Sequence, residues 1–323
     1  MTGFFMNYAG LIYDDSKHYL DHLAPFCALL NCPLIICEPS VAQLAQTYYP
    51  DLNVIEKNLW ELKLPPFTIS CDGPTLIQAA FPHQSTKVLW LPHGNSDKGF
   101  NGPFFENLGE AAFVYGQKMV DFMHAKKTHI QTFRIGNFRH HYYLKHQEFY
   151  QKKIALPQHK NTLFYAPTWD DLEGNNSFWK AFPTLCDQLP NNIHLLVKLH
   201  PNTLRKFEIE IDLLKFSYAK NNRVTFLPEI PPIYPILNQV DGYIGDMSSI
   251  GYDFLQFDKP LYFLNANPKL PLHKCGAHLN LNALKLPRED PFSSVRKKTS
   301  SYTFDATPNW DHLKEQIDAF CSL

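Results

Sequence analysis

The feature that most constrains this chain is an alternation. Short apolar runs recur between amphipathic stretches of helical length, each pair bounded by turn residues. In the first half, strands are expected at Leu34–Cys37, Asn53–Glu56, Phe67–Cys71, Val88–Leu91, Ala112–Tyr115 and Thr132–Ile135, with helices near Val41–Tyr48, Thr75–Ala80 and Lys118–Lys126. In the second half, strands are expected at Leu163–Ala166, Ile193–Leu199, Val224–Leu227, Gly242–Ile244 and Leu261–Leu264. Helices are expected there near Phe178–Leu189, Leu204–Ala219, Ile233–Asn238 and Ser249–Phe257. Strands joined by helices of this length pair in parallel, because a crossover helix returns the chain to the same end of the sheet. The polar, helix-patterned segment Arg139–Lys160 separates the two series. The expectation is an α/β chain of two Rossmann-like domains, 1–150 and 151–323, with parallel sheets facing across a cleft. Trp310–Phe320 reads as a final amphipathic helix of the second domain, capped by Asn309.

Composition narrows the function classes. With 30 Lys+Arg against 31 Asp+Glu the formal net charge is −1, which offers no electrostatic case for nucleic acid. The seven cysteines are scattered singly with no CxxC pair, as expected of buried free thiols in a reducing compartment. The first twenty residues carry no basic leader pattern, and no apolar run approaches the roughly 20 residues that span a bilayer. A cytoplasmic location is expected, and a peripheral contact at the inner face of the cytoplasmic membrane is compatible with it. The mixed basic and aromatic stretch Lys126–His141 reads as a solvated face.

Four segments place polar residues just after an expected strand, at the edge where open α/β sheets bind ligands. The segment Val88–Gly99 carries His93, Gly94 and Lys98. Leu163–Asp171 carries Thr168, and His194–Asn202 carries Lys198 and His200 before Pro201. Gly242–Leu264 carries Asp246, Ser248 and Ser249 at the start of a helix, where unpaired N–H groups and the helix dipole favour an anion such as phosphate. A cap is the simpler reading of Asp246 or Ser248 taken alone. The acidic group Asp170, Asp171 and Glu173 reads as a solvated turn rather than a metal site.

Together these segments resemble the CDP-glycerol glycerophosphotransferases, the teichoic-acid primases and polymerases. HGNSDK (His93–Lys98) resembles that family's HGTPLK-like motif at its His, Gly and Lys, and YAPTWD (Tyr165–Asp170) resembles its YAPTWR-like motif. KLHP (Lys198–Pro201) matches a basic residue two before an HP pair. The last motif is GDMSSIGYDFLQFDKP, from Gly245 to Pro260. It follows the TDYSS…FDY…KP pattern at Asp246, Ser248, Ser249, Asp253, Lys259 and Pro260. The pattern departs at Asp170, where the family has Arg, at Met247 for Tyr, and at Gly245 for Thr.

The resemblance implies a GT-B architecture with the donor nucleotide held by the second domain, and it implies neither metal nor another cofactor. It assigns His93 as the base on an acceptor hydroxyl and His200 as its catalytic partner at the donor's pyrophosphate. Lys98, Thr168, Lys198, Asp246, Ser248 and Ser249 are the expected substrate-binding residues. The donor is expected to be a CDP-alcohol or a nucleotide sugar, and the acceptor a glycan or a lipid-linked molecule. A GT-B nucleotide-sugar glycosyltransferase and a non-catalytic member of the fold are the alternative readings.

Overall fold

A computed structural model describes residues 7–98, 107–157, 159–170, 174–265 and 267–322. Two compact units are present: Met1–Asn95 with Gly99–Lys153 and Tyr302–Leu323, and Ser96–Lys98 with Ile154–Ser301. The chain passes from the first unit to the second at Lys153–Ile154. The tail differs: residues 302–323 complete the first unit rather than the second.

The first unit holds β1 (Tyr8–Ile12), β2 (Leu34–Ile36), β3 (Val54–Glu56), β4 (Phe67–Ser70), β5 (Lys87–Trp90), β6 (Ala111–Val114) and β7 (Gln131–Arg134). They form one parallel sheet in the order β3-β2-β1-β4-β5-β6-β7. Helices α1 (Lys17–Leu29), α2 (Pro39–Tyr48), α3 (Pro74–Ala80), α4 (Gln117–Ala125), α5 (Phe138–Lys145) and α6 (Gln147–Lys153) belong to this unit. The strand order reverses between β1 and β4, so the ligand-binding switch point lies where these two strands end. Strand β1 was not expected. Every one of its residues is buried, so it lacks the alternation that betrays a half-exposed strand. Helix α1 is anchored through Asp21, which accepts from Arg139 Nη1 of α5 at 2.9 Å and from the Tyr49 hydroxyl at 3.2 Å.

The second unit holds β8 (Thr162–Tyr165), β9 (His194–Val197), β10 (Val224–Phe226), β11 (Gly242–Gly245), β12 (Leu261–Phe263) and β13 (Ala277–His278). These are also parallel, in the order β10-β9-β8-β11-β12-β13, and the switch point lies between β8 and β11. Helices α7 (Phe178–Gln188), α8 (Pro201–Lys206), α9 (Glu208–Tyr218), α10 (Tyr234–Asn238), α11 (Ser249–Phe254) and α12 (Ser293–Thr303) follow. The single helix expected over Leu204–Ala219 is two. Pro201 starts α8 early, and Phe207 at φ −129° and ψ 40° breaks the run. Helix α7 buries Phe178, Ala181, Phe182, Leu185 and Cys186 against the sheet, one apolar stripe at helical spacing. Strand β13 and α12 were not expected. Arg296 of α12 is buried and held by Asp290 and Asp258.

The last helix, α13 (Trp310–Phe320), packs on the first sheet through Phe320, whose ring meets Phe133 at 5.7 Å and Phe67 at 6.3 Å. The Tyr8 hydroxyl of β1 donates to Asp318 at 2.8 Å. Asn309 caps α13, accepting from the His312 N–H at 3.0 Å. All seven cysteines are free. Among the described residues no helix is long and apolar enough to cross a membrane.

Candidate functional site

The second sheet's switch point is organised by Asp246. This residue follows β11 and is only 1% exposed. Its Oδ1 accepts from the Thr168 N–H at 2.8 Å. Its Oδ2 accepts from the Ser177 N–H at 2.9 Å and the Ser177 hydroxyl at 2.8 Å. The Ser177 proton is thus committed, so the buried Tyr165 hydroxyl donates to Ser177 Oγ at 2.9 Å. Burial pushes the Asp246 carboxyl up to about 6, against the pull of its hydrogen bonds and of Lys98. Asp246 was expected to cap α11 or touch substrate. Its carboxylate ties the loop after β8 and the start of α7 to the end of β11.

Ser248 is the N-cap residue of α11, in extended conformation and with no side-chain cap bond. Ser249 opens the helix, which runs on into a 3₁₀ turn at Leu255–Phe257. Lys98 Nζ donates to Thr168 Oγ1 at 2.8 Å and lies 5.8 Å from the centre of the Trp169 ring. The segment that carries Lys98 is clamped by Asp97, which accepts from the Tyr252 hydroxyl at 2.5 Å and the Leu272 N–H at 3.1 Å. Lys198 follows β9 half-buried, its N–H donating to Tyr165 O at 3.0 Å. His200 caps α8: Nδ1 accepts from the Asn202 N–H at 3.1 Å, which puts the ring proton of the neutral form on Nε2 as a donor. This edge of the sheet therefore gathers Lys98, Thr168, Lys198, His200, Ser248 and Ser249, a set of cations, hydroxyls and N–H donors suited to phosphate.

Other motif residues serve the fold. Asp253 is buried and accepts from the Tyr234 hydroxyl at 3.0 Å. Lys259 Nζ donates to the Asn238 and Val240 carbonyls at 2.9 and 2.7 Å. Asp170 is exposed and pairs with Lys206 at 2.6 Å, while Asp171 and Glu173 lie outside the described residues, as does Gly99. Gly245 stands where the resembled family has Thr, and a Cβ there would meet the Tyr243 hydroxyl at 2.0 Å. The Tyr243 ring occupies the space that a threonine would need. His273 lies buried beneath this turn. Its Nδ1 accepts from the Asn267 N–H at 2.9 Å and its Nε2 faces the Asp246 carbonyl at 3.4 Å.

The first sheet's switch point gathers a different set. His93 follows β5 on a turn made by Gly94 at φ +115°, in the left-handed region where a side chain is strained. Its exposed ring packs 5.2 Å from Tyr19 and 5.9 Å from His18 of α1, with His22 at 6.4 Å. Tyr19 donates to Asp72 Oδ1 at 2.9 Å. Asp72 follows β4, is 7% exposed, and also accepts from Tyr13; burial raises its carboxyl above the usual range. The Tyr115 hydroxyl donates to the Pro92 carbonyl at 3.0 Å, so its oxygen accepts from His22 Nδ1 at 3.1 Å. Burial, then Arg139, hold His22 below the usual histidine range. Sequence reading found His93 but not Tyr19 or His22, which lie in the unrecognised α1, nor Asp72, which follows an expected strand but has its partner Tyr19 in α1.

Two Rossmann-like units with all-parallel sheets make this a GT-B-type fold. Among solved structures, the wall teichoic acid polymerase TagF matches 98% of this chain and 88% of its own at 13% identity, with a TM-score of 0.64. The S. aureus MnaA–UDP co-structure matches at 11% identity, covering 97% of this chain and 95% of its own, with a TM-score of 0.55. Anabaena Alr3699/HepE in complex with UDP-glucose matches at 12% identity over 98% of this chain and 99% of its own, with a TM-score of 0.51. At these identities the likeness is one of fold. A search of curated protein sequences finds no match. Residues 128–281 match the family described as CDP-glycerol:poly(glycerophosphate) glycerophosphotransferase. Over those residues, just under half of the chain, it is similar to that transferase family.

Proposed function

We propose that the chain transfers glycerol phosphate from CDP-glycerol to an acceptor hydroxyl of a cell-surface polymer or glycan, with His93 as the base. The observation that carries this reading is the family match over residues 128–281, which takes in Thr168, Lys198, His200, Ser248 and Ser249 at one sheet edge. The acceptor oxygen forms a bond to the phosphorus that bears the glycerol. The bond from that phosphorus to the bridging oxygen breaks, and CMP leaves with the electron pair. Negative charge grows on the leaving phosphate, where Lys198, the His200 Nε2–H and the N–H groups opening α11 stabilise it. The acceptor proton passes to His93, whose residue type titrates near neutrality and whose exposed ring can return it to water. Asp246 and Lys98 act indirectly, by holding Thr168 and its loop. A lipid-linked acceptor at the inner face of the cytoplasmic membrane suits a polymer that is built before export.

A nucleotide-sugar glycosyltransferase is the second reading, favoured by the UDP and UDP-glucose complexes among the similar structures. The same phosphate site would then hold the leaving nucleotide. Calorimetric titration with CDP-glycerol, CDP-ribitol and UDP-sugars separates the two, together with CMP release from labelled CDP-glycerol. Binding of CDP-glycerol with CMP release is expected. Binding of UDP-sugars alone, or no CMP release with any acceptor tried, refutes the proposal.

A further inference from the structure

We infer that Asp72, acting through Tyr19, is a positioning residue for His93. The inference rests on the role of His93 proposed above. His93 is exposed on a glycine turn, so its ring orientation depends on what it packs against. One face of that environment is the Tyr19 ring, at 5.2 Å and tilted by 47°. Tyr19 is a half-buried side chain whose own orientation is set by the 2.9 Å bond from its hydroxyl to Asp72 Oδ1. The His18 ring lies 4.3 Å from Tyr19, tilted by 51°, and 5.9 Å from His93 itself.

The topology explains why these groups meet. Asp72 leaves β4, Tyr19 lies in the first turns of α1 after β1, and His93 leaves β5. All three strands end at the same edge, at and beside the switch point. Asp72 is in turn fixed from its own loop, where its N–H donates to Ser70 Oγ at 3.0 Å, and by the second hydroxyl from Tyr13. The chain of contacts runs from a buried carboxylate, through an anchored phenol, to an exposed imidazole. Asp72 is buried and acts only through Tyr19. A base held off its line of attack by a fraction of an ångström loses rate without losing affinity for the donor.

Two measurements test this on the full chain. In protein carrying ¹³C-labelled histidine, the His93 ring resonance is assigned by its loss in His93→Gln. It is expected to shift and broaden in both Tyr19→Phe and Asp72→Asn, while the resonance of exposed His312 stays in place. This readout needs no turnover, so it tests the positioning even if CDP-glycerol proves not to be the donor. In the CMP-release assay each variant is expected to lose about ten- to a hundredfold in kcat with CDP-glycerol affinity unchanged. The double variant should fall no further than the worse single one, because the pair acts as a unit. An unmoved His93 resonance in Tyr19→Phe, which keeps the ring and the fold, overturns the inference. So do losses that multiply in the double variant, or a matching loss of donor affinity.

Discussion

Replacing Asp246 by Asn tests whether burial or hydrogen bonding dominates at the centre of the second unit. The carboxylate accepts three hydrogen bonds, from the Thr168 N–H, the Ser177 N–H and the Ser177 hydroxyl. Asparagine offers one carbonyl oxygen. Its NH₂ must face either Thr168 or Ser177, and a buried donor left without an acceptor costs about 1–3 kcal/mol. The pH dependence is the sharper measurement. The Asp246 carboxyl is raised from 3.8 to about 6 in the folded chain, so the native state binds this proton more tightly than the unfolded state does. Its contribution to stability is therefore fully present below about pH 4 and is lost as pH rises through about 6. A shift of that size corresponds to roughly 3 kcal/mol, of which about 1.3 kcal/mol disappears between pH 5 and pH 7. The asparagine variant lacks this titration, and other groups cancel in the difference between the two proteins. Guanidinium unfolding followed through Trp169 and Trp179 fluorescence should show the wild-type advantage shrinking from pH 5 to pH 7. An advantage that grows with pH would mean that the three donors and Lys98 outweigh burial, and that the carboxyl is depressed rather than raised.

His93→Ala is expected to lower kcat by about 10²–10⁴-fold with CDP-glycerol affinity within a few-fold, by calorimetry and CMP release. Near-normal kcat would remove His93 from the chemistry. Ser249→Ala and His200→Ala should each weaken CDP-glycerol binding by roughly 1.5–3 kcal/mol while leaving cytidine binding nearly unchanged. Equal losses for both ligands would count against a phosphate contact. Gly245→Thr restores the residue type of the resembled motif but collides with the Tyr243 hydroxyl, and should destabilise the chain by about 1–3 kcal/mol. Adding Tyr243→Phe should recover part of that loss in thermal unfolding, and no recovery would show the strain to lie elsewhere.

Most strands were legible because each is an apolar run between turn residues, and the second sheet was read in full except for the two-residue β13. Strand β1 escaped because burial on both faces erases alternation, and Gly10 interrupts its apolar run. Helix α1 escaped with it. Pro25 lies inside the helix, and its buried face carries Asp21 and His22, which are tolerated only because Arg139 and Tyr115 meet them from far along the chain. Losing β1 and α1 also hid the first switch point, and with it Tyr19 as the partner of Asp72. Asp246 was recognised as important but read as local. Its partner Ser177 is 69 residues away, a pairing that no spacing rule reveals.

The return of α13 to the first sheet makes that unit discontinuous in sequence, whereas the bulk of the second runs unbroken from Ile154 to Ser301. During synthesis the order of completion is therefore inverted. The sheet begun first stays open along Phe67 and Phe133, and the Tyr8 hydroxyl lacks Asp318, until residues 310–320 have emerged. The unit begun second is by then already closed. A chain that lacks residues 310–320 would join a second unit complete to Ser301 to a first unit whose aromatic face is left uncovered.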